Sequence, residues 1–235
     1  KKGVVFGTEE YKDLLAKHGG PTPKALVDSA MRHVQMLEDC GWREIKIAVK
    51  ASDVPRTVAA YRLLARRTNY PLHLGVTEAG TFLGGTVSSS AAMAILLSEG
   101  IGDTIRVSLT DTPHNEVRVG LALLRALALR PPGPNVISCP TCGRTQIDIT
   151  RLAAQVEAGL EEYCRSRPKA PCPTVAVMGC VVNGPGEAGQ ADIAVCGGNG
   201  RGAIYVRGKH VRTVPEREVA RAILAEVRRF KSSKH

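Results

Sequence analysis

The chain has 235 residues, 43% of them hydrophobic, with near-neutral mean hydropathy, enough to bury a core in one large domain or two modest ones. No apolar run approaches the roughly 20 residues that span a bilayer, and the opening KKGVVFGTEEYKD has no apolar core of signal-peptide length, which points to a cytoplasmic protein without a membrane partner. A formal charge of +10 favours anionic partners, but three Phe, five Tyr and one Trp are thin material for base-stacking platforms, so a small anion ranks ahead of nucleic acid.

In chain order, the first clear helix is predicted to open at Thr22-Pro23, a cap residue followed by proline at the first helical position, and to close near Gly41. Leu26, Ala30, Val34 and Leu37 share its apolar face. A buried strand is expected over residues 45–51, and Asp53 with Pro55 starts a second helix carrying Val58, Tyr61, Leu64 and Ala65 inward. The pattern then repeats: strand 72–77, a glycine-rich loop, a helix from about Ser89 to Glu99, and strand 104–109. A helix starts at Thr112-Pro113, and a strand covers 136–138. Strands recurring near 45, 72, 104 and 136 between helices predict βαβ crossovers and a parallel sheet, in a barrel or an open α/β layer.

A complete eight-stranded barrel takes about 250 residues, so this chain cannot hold one together with its cysteine-bearing C-terminal region. Pro131-Pro132-Gly133-Pro134 breaks the pattern, and a domain boundary is placed there, giving 1–133 and 134–235. Beyond it come a helix to about Arg165, a Pro/Lys-rich stretch, strand 174–182, a glycine-rich loop, short strands at 193–196, 203–206 and 210–214, and a last helix over 215–230.

CPTCGR places Cys139 and Cys142 two residues apart after a strand, a spacing that lets two thiolates converge on one metal or one face of a cluster. Alone it also fits a zinc-ribbon half-site, a redox dithiol or two chance cysteines. GCVVNGPGE adds Cys180 at a strand end and Glu187 across a turn. Three thiolates and a carboxylate can ligate iron, with the oxygen ligand the more easily displaced; Glu187 can equally be a solvated loop acid. Cys164 and Cys172 could replace one of these ligands, but they, Cys40 and Cys196 read better as small apolar residues. Seven cysteines, clustered and odd in number, suggest metal or catalysis over disulfides.

Ligands of parallel sheets gather beyond the carboxyl ends of strands. Three such ends carry Lys50; His73, Thr77 and Glu78; and Arg106, Ser108 and Thr110. Lys50, Arg106 and Ser108 suit phosphate oxygens, and Glu78 suits proton transfer. The plain alternatives are solvated charges at Lys50 and Arg106, a loop cap at Ser108, a core histidine at His73 and an ion-pair acid at Glu78.

SAMRHV, VKASD, YRLLA, PLHLGVTEAG, LLSEGIGDTIRVSLT, CPTCGR and GCVVNGPGEA together resemble the 4-hydroxy-3-methylbut-2-enyl diphosphate synthases of isoprenoid biosynthesis, from about Lys12 to Gly198. The resemblance implies the C-terminal part of a (β/α)8 TIM-type barrel followed by a smaller α+β iron–sulfur domain. It implies a [4Fe-4S] cluster on Cys139, Cys142, Cys180 and Glu187, with Lys50, Arg106, Ser108 and Asn183 near the substrate and Glu78 as acid/base. The implied reaction is reductive ring opening and dehydration of 2-C-methyl-D-erythritol 2,4-cyclodiphosphate, with ferredoxin or flavodoxin as electron donor and a homodimer that sets one subunit's cluster over the other's barrel. The barrel's earlier strands have no counterpart here, KKGVVFGTEE does not look like the segment expected before them, and Ser88 stands where a KSA motif would place lysine. The rival is a non-catalytic zinc or cluster module with a basic surface for nucleic acid.

Overall fold

The cap-and-proline signals act as the sequence suggests. In the computed structural model, which describes residues 12–131, 133–168, 170–180, 186, 189 and 191–230, a short α1 (Lys12–His18) leads to α2 (Pro23–Asp39). Thr22 Oγ1 accepts from Ala25 N at 3.2 Å and Pro23 occupies the first turn. Asp53 likewise caps α3 (Val54–Ala65), its Oδ1 accepting from Arg56 N at 2.8 Å. β1 (His73–Leu74), α4 (Phe82–Ser98), β2 (Thr104–Ile105) and α5 (Pro113–Ala126) come next.

The chain divides into two compact units, with Arg130 ending the first and Pro131 opening the second. In the first, three extended runs lie parallel: residue Ile47 bridges Leu72, and β1 pairs with β2 through His73–Thr104 and Leu74–Ile105. Ile47, Val49, Ala51, Leu72, Leu74, Val76 and Val107 point into one core with Tyr61 and Leu64 of α3 and Met93 and Leu96 of α4. Burying each of the larger side chains contributes roughly 1.5–3 kcal/mol.

Two expectations change here. The strands are far shorter than the runs 45–51, 72–77 and 104–109; between the first two runs, hydroxyls from α3 intercept backbone groups that would otherwise extend the ladder. Helix α4 begins at Phe82, a full two turns before Ser89, and so includes Gly84 and Gly85. Glycine weakens a helix interior, but Gly85 faces the strand ends so closely that a Cβ there would lie 2.6 Å from Leu109 Cδ2 and 3.0 Å from Gly80 O. Close packing outweighs the propensity cost.

In the second unit, β3 (Asn135–Ser138), α6 (Ile149–Ser166), β4 (Thr174–Met178), β5 (Ile193–Gly198), β6 (Arg201–Val206), β7 (Lys209–Pro215) and α7 (Glu216–Arg229) form one five-stranded sheet with helices. Strands β3, β4 and β5 are parallel, and β5–β6–β7 is an antiparallel meander. Alternation splits the sheet's faces: Val175, Val177, Ile193 and Val195 meet α6 and α7, whereas Ala176, Met178, Ala194 and Cys196 form a smaller apolar cluster. Cys164 and Cys172 are joined in a disulfide across the end of α6 and the approach to β4. This corrects their reading as spare ligands or bystander thiols, since neither offers a thiolate in this state. Among the described residues no helix is long and apolar enough to cross a membrane.

Candidate functional site

In the first unit, the run through Lys50 and the segments following β1 and β2 end on one side, as parallel strands must. Lys50 leans across the backbone of Gly75: a Cβ on Gly75 would lie 3.3 Å from Lys50 Cε, 3.6 Å from its Nζ and 2.8 Å from Arg106 O. Only a residue without a side chain leaves that path open. Burial, and then the nearby Arg106 guanidinium, hold the Lys50 ammonium below its usual range. Neither cation pairs with a carboxylate among the described residues. Ser108 Oγ is buried without a hydrogen-bond partner, a donor and acceptor held out of water. Glu78 is exposed and carries φ +52°, a left-handed backbone unusual for a residue with a side chain. His73 Nδ1 meets Thr104 Oγ1 at 2.8 Å, tying β1 to β2.

The second unit gathers its cysteines at the carboxyl ends of β3 and β4. Cys139 N donates to Val177 O at 3.4 Å, and Gly179 N donates to Cys139 Sγ at 3.3 Å, which brings that sulfur against the residue preceding Cys180. The loop bearing Cys142 is clipped to the same place, because Gln146 N donates to Gly179 O at 3.0 Å and Thr145 N to Cys142 O at 3.0 Å. Backbone N–H of Arg144, then Thr145 Oγ1, lower the Cys142 thiol below its ordinary pKa. Cys142 is exposed, Cys139 half-buried and Cys180 buried. Among the described residues no three His, Cys, Asp or Glu side chains already converge as a metal site. Glu187 and Asn183 lie outside the described residues. The donor set nonetheless fits an iron–sulfur group: soft thiols on loops pinned to one strand end, with amide N–H groups directed at sulfur. Cys196, on β5 beside Cys180, differs. Burial, and then Cys180, push its thiol up to about 11.

A groove of about 410 Å³ opens beside Cys139, between β3 and the start of α6, lined by Ser138, Cys139, Thr141, Thr150, Ala153 and Glu157 among others.

The profile of the GcpE TIM-barrel domain matches residues 3–121, and that of the GcpE protein C-terminal domain matches residues 135–229. The chain belongs to the GcpE family. Curated relatives named 4-hydroxy-3-methylbut-2-en-1-yl diphosphate synthase (flavodoxin) include one from Geobacter sulfurreducens, 53% identical over 236 residues, covering 99% of this chain and 64% of the relative. One from Acidothermus cellulolyticus is 52% identical over 229 residues, covering 97% of this chain and 56% of the relative. One from Lawsonia intracellularis is 53% identical over 212 residues, covering 90% and 57%. The chain thus spans about six-tenths of the length of the GcpE relatives it matches.

The GcpE match begins at residue 3 and runs to 229, so the opening segment and the final helix, both outside the likeness carried by the motifs, lie within the family's extent. Two residues that build the Lys50 end of the site escape sequence reasoning. Gly75 is inconspicuous inside LHLGVTEAG, and Tyr61 passes for one more residue of an apolar stripe. The signal for Tyr61 is its hydroxyl, since a tyrosine in an otherwise aliphatic stripe needs a buried partner.

Proposed function

We propose that this chain is the part of a reductive enzyme that carries its [4Fe-4S] centre and one side of its diphosphate site. The whole protein would convert 2-C-methyl-D-erythritol 2,4-cyclodiphosphate to (E)-4-hydroxy-3-methylbut-2-enyl diphosphate. The observation that carries this reading is the convergence of Lys50 and the Arg106 segment at parallel strand ends: a Cβ on Gly75 would lie 3.6 Å from Lys50 Nζ and 2.8 Å from Arg106 O, Ser108 Oγ two residues on is buried without a partner, and burial and Arg106 hold the Lys50 ammonium below its usual range. Juxtaposing like charges costs free energy that a bound polyanion offsets. The names of the relatives point the same way.

On this reading the first unit is part of a (β/α)8 barrel, with Lys50 and Arg106 taking phosphate oxygens and the orphaned Ser108 hydroxyl donating to a third. Glu78 moves a proton at the ring being opened, and Asn183 contacts the substrate. Cys139, Cys142, Cys180 and Glu187 would hold the cluster, which when bound would relay the two electrons of the reduction, one at a time, from the external carrier to the substrate. The exposed Cys142 thiol, its pKa lowered, is placed to ligate, and Cys196, buried within β5, lies outside the ligand set. Reduced flavodoxin, the carrier in the relatives' names, is the favoured donor, with ferredoxin as its substitute, and the protein works as a homodimer.

Calorimetric titration of the anaerobically reconstituted chain with pyrophosphate tests the anion site. Lys50→Ala and Arg106→Ala should each weaken binding about tenfold or more while leaving cluster absorption unchanged. Unaltered binding would return both residues to solvated charges.

A further inference from the structure

A regular parallel ladder would continue past the Ile47–Leu72 bridge. Ile47 N donates to Pro71 O at 2.9 Å and His73 N to Ile47 O at 2.8 Å, so the next bond in register is Val49 N to His73 O. That bond is replaced. Tyr61, fully buried on α3, inserts its hydroxyl between the two strands: Oη accepts from Val49 N at 3.2 Å and donates to His73 O at 2.5 Å. Pairing resumes only at the far end, where Thr77 N donates to Ala51 O at 3.1 Å. Thr57, also fully buried on α3, takes the next donor, its Oγ1 accepting from Ala51 N at 3.3 Å.

Lys50 stands between the two intercepted amides. Its backbone on either side is therefore held by hydroxyls of α3, and its side chain crosses the neighbouring strand at Gly75, two residues beyond the carbonyl that Tyr61 engages. From this we infer that Tyr61 is a positioning residue for anion binding: its hydroxyl spaces the strands so that the Lys50 ammonium lies across Gly75 beside Arg106. The inference rests on the reading of Lys50 and Arg106 as an anion clamp and adds the device that sets their spacing. Without the oxygen, Val49 N and His73 O are free to close into the direct ladder bond, and that closure carries Lys50 away from its crossing point.

A double-mutant cycle tests this, with pyrophosphate titrated calorimetrically into the unsubstituted chain, Tyr61→Phe, Lys50→Ala and the double variant. Tyr61→Phe keeps the ring and removes one oxygen, so affinity should fall about five- to tenfold when Lys50 is present and stay unchanged when Lys50 is Ala. An unchanged affinity, or an equal loss in both backgrounds, would overturn the inference, the second because it marks a purely structural effect. Equal binding by the unsubstituted chain and Lys50→Ala would instead overturn the anion-clamp reading beneath it. 4-Aminophenylalanine at position 61 is the second variant, and the one read if Tyr61→Phe does not fold. It keeps a donor for His73 O and should bind close to the unsubstituted chain; affinity as poor as that of Lys50→Ala would overturn the inference.

Discussion

Replacing Gly75 by alanine probes the narrowest point of the candidate anion site. The added Cβ would lie 2.8 Å from the carbonyl oxygen of Arg106, a backbone atom that cannot rotate away, and 3.3 Å from Lys50 Cε. Overpacking of this kind costs about 1–3 kcal/mol. Against it stands the gain from a less flexible unfolded chain, about 0.4–1 kcal/mol, accessible because Gly75 does not have a left-handed backbone. At the middle of both ranges the clash wins by about 1.3 kcal/mol, equivalent to a Tm lower by about 5 °C for a unit of this size. Relaxation must move the Arg106 segment or the Lys50 side chain, so pyrophosphate affinity should fall with Tm. Circular dichroism melting and calorimetric titration of the Gly75→Ala chain read both. A Tm equal to or above that of the unsubstituted chain, with unchanged affinity, would refute the close-approach account of Lys50.

Other expectations concern charge, cap and ligands. The pKa of Lys50 is lowered in the folded state, so that state binds fewer protons than the unfolded one between the lowered value and 10.5, and stability rises with pH across that window. Below it, desolvation of the ammonium is a standing cost, reduced by partial exposure; Lys50→Met should therefore leave Tm unchanged or raised at neutral pH while weakening pyrophosphate binding about tenfold, and a lowered Tm would contradict this. Asp53→Ala removes the acceptor for Arg56 N and should cost about 1 kcal/mol in denaturant unfolding, with an unchanged midpoint speaking against the cap. Cys142→Ser and Glu187→Gln should lower iron retained per chain after desalting, whereas Cys196→Ser should not; loss of iron from Cys196→Ser alone would reverse the assignment of ligands.

Much of the architecture is legible in local chemistry. Thr22-Pro23, Asp53 with Pro55, and Thr112-Pro113 each mark a helix start found within a residue of its place, because caps act over a few bonds and need no tertiary context. Residues 174–178 and 193–196 are legible as short apolar strand runs, but that they bury two faces of one sheet emerges only from the folded sheet. Long-range contacts explain the failures. Gly84 and Gly85 look like loop residues until the packing of Gly85 on Gly80 and Leu109 is visible, and the runs 45–51 and 72–77 look like longer strands because side-chain hydroxyls from α3 cannot be foreseen from the strands' own residues. The Cys164–Cys172 disulfide is likewise hidden, since a spacing of eight residues is not diagnostic until α6 ends beside the approach to β4.

At the candidate centres, residue type is readable and geometry is not. Lys50 and Arg106 stand out as strand-end cations, but that the Lys50 side chain reaches over Gly75 to the Arg106 segment emerges only from the folded backbone. The CxxC pair is visible at once; that Gly179 links the Cys139 sulfur, the Gln146 amide and the start of the Cys180 segment requires the sheet register.

The most direct test of the central claim is anaerobic reconstitution with iron and sulfide, then metal analysis, visible absorption and electron paramagnetic resonance on the reduced protein. Iron and acid-labile sulfide bound in equal amounts, with a broad visible band that bleaches on reduction and is lost in Cys139→Ser, is the expected result. Tight stoichiometric zinc with no iron–sulfur band would contradict it.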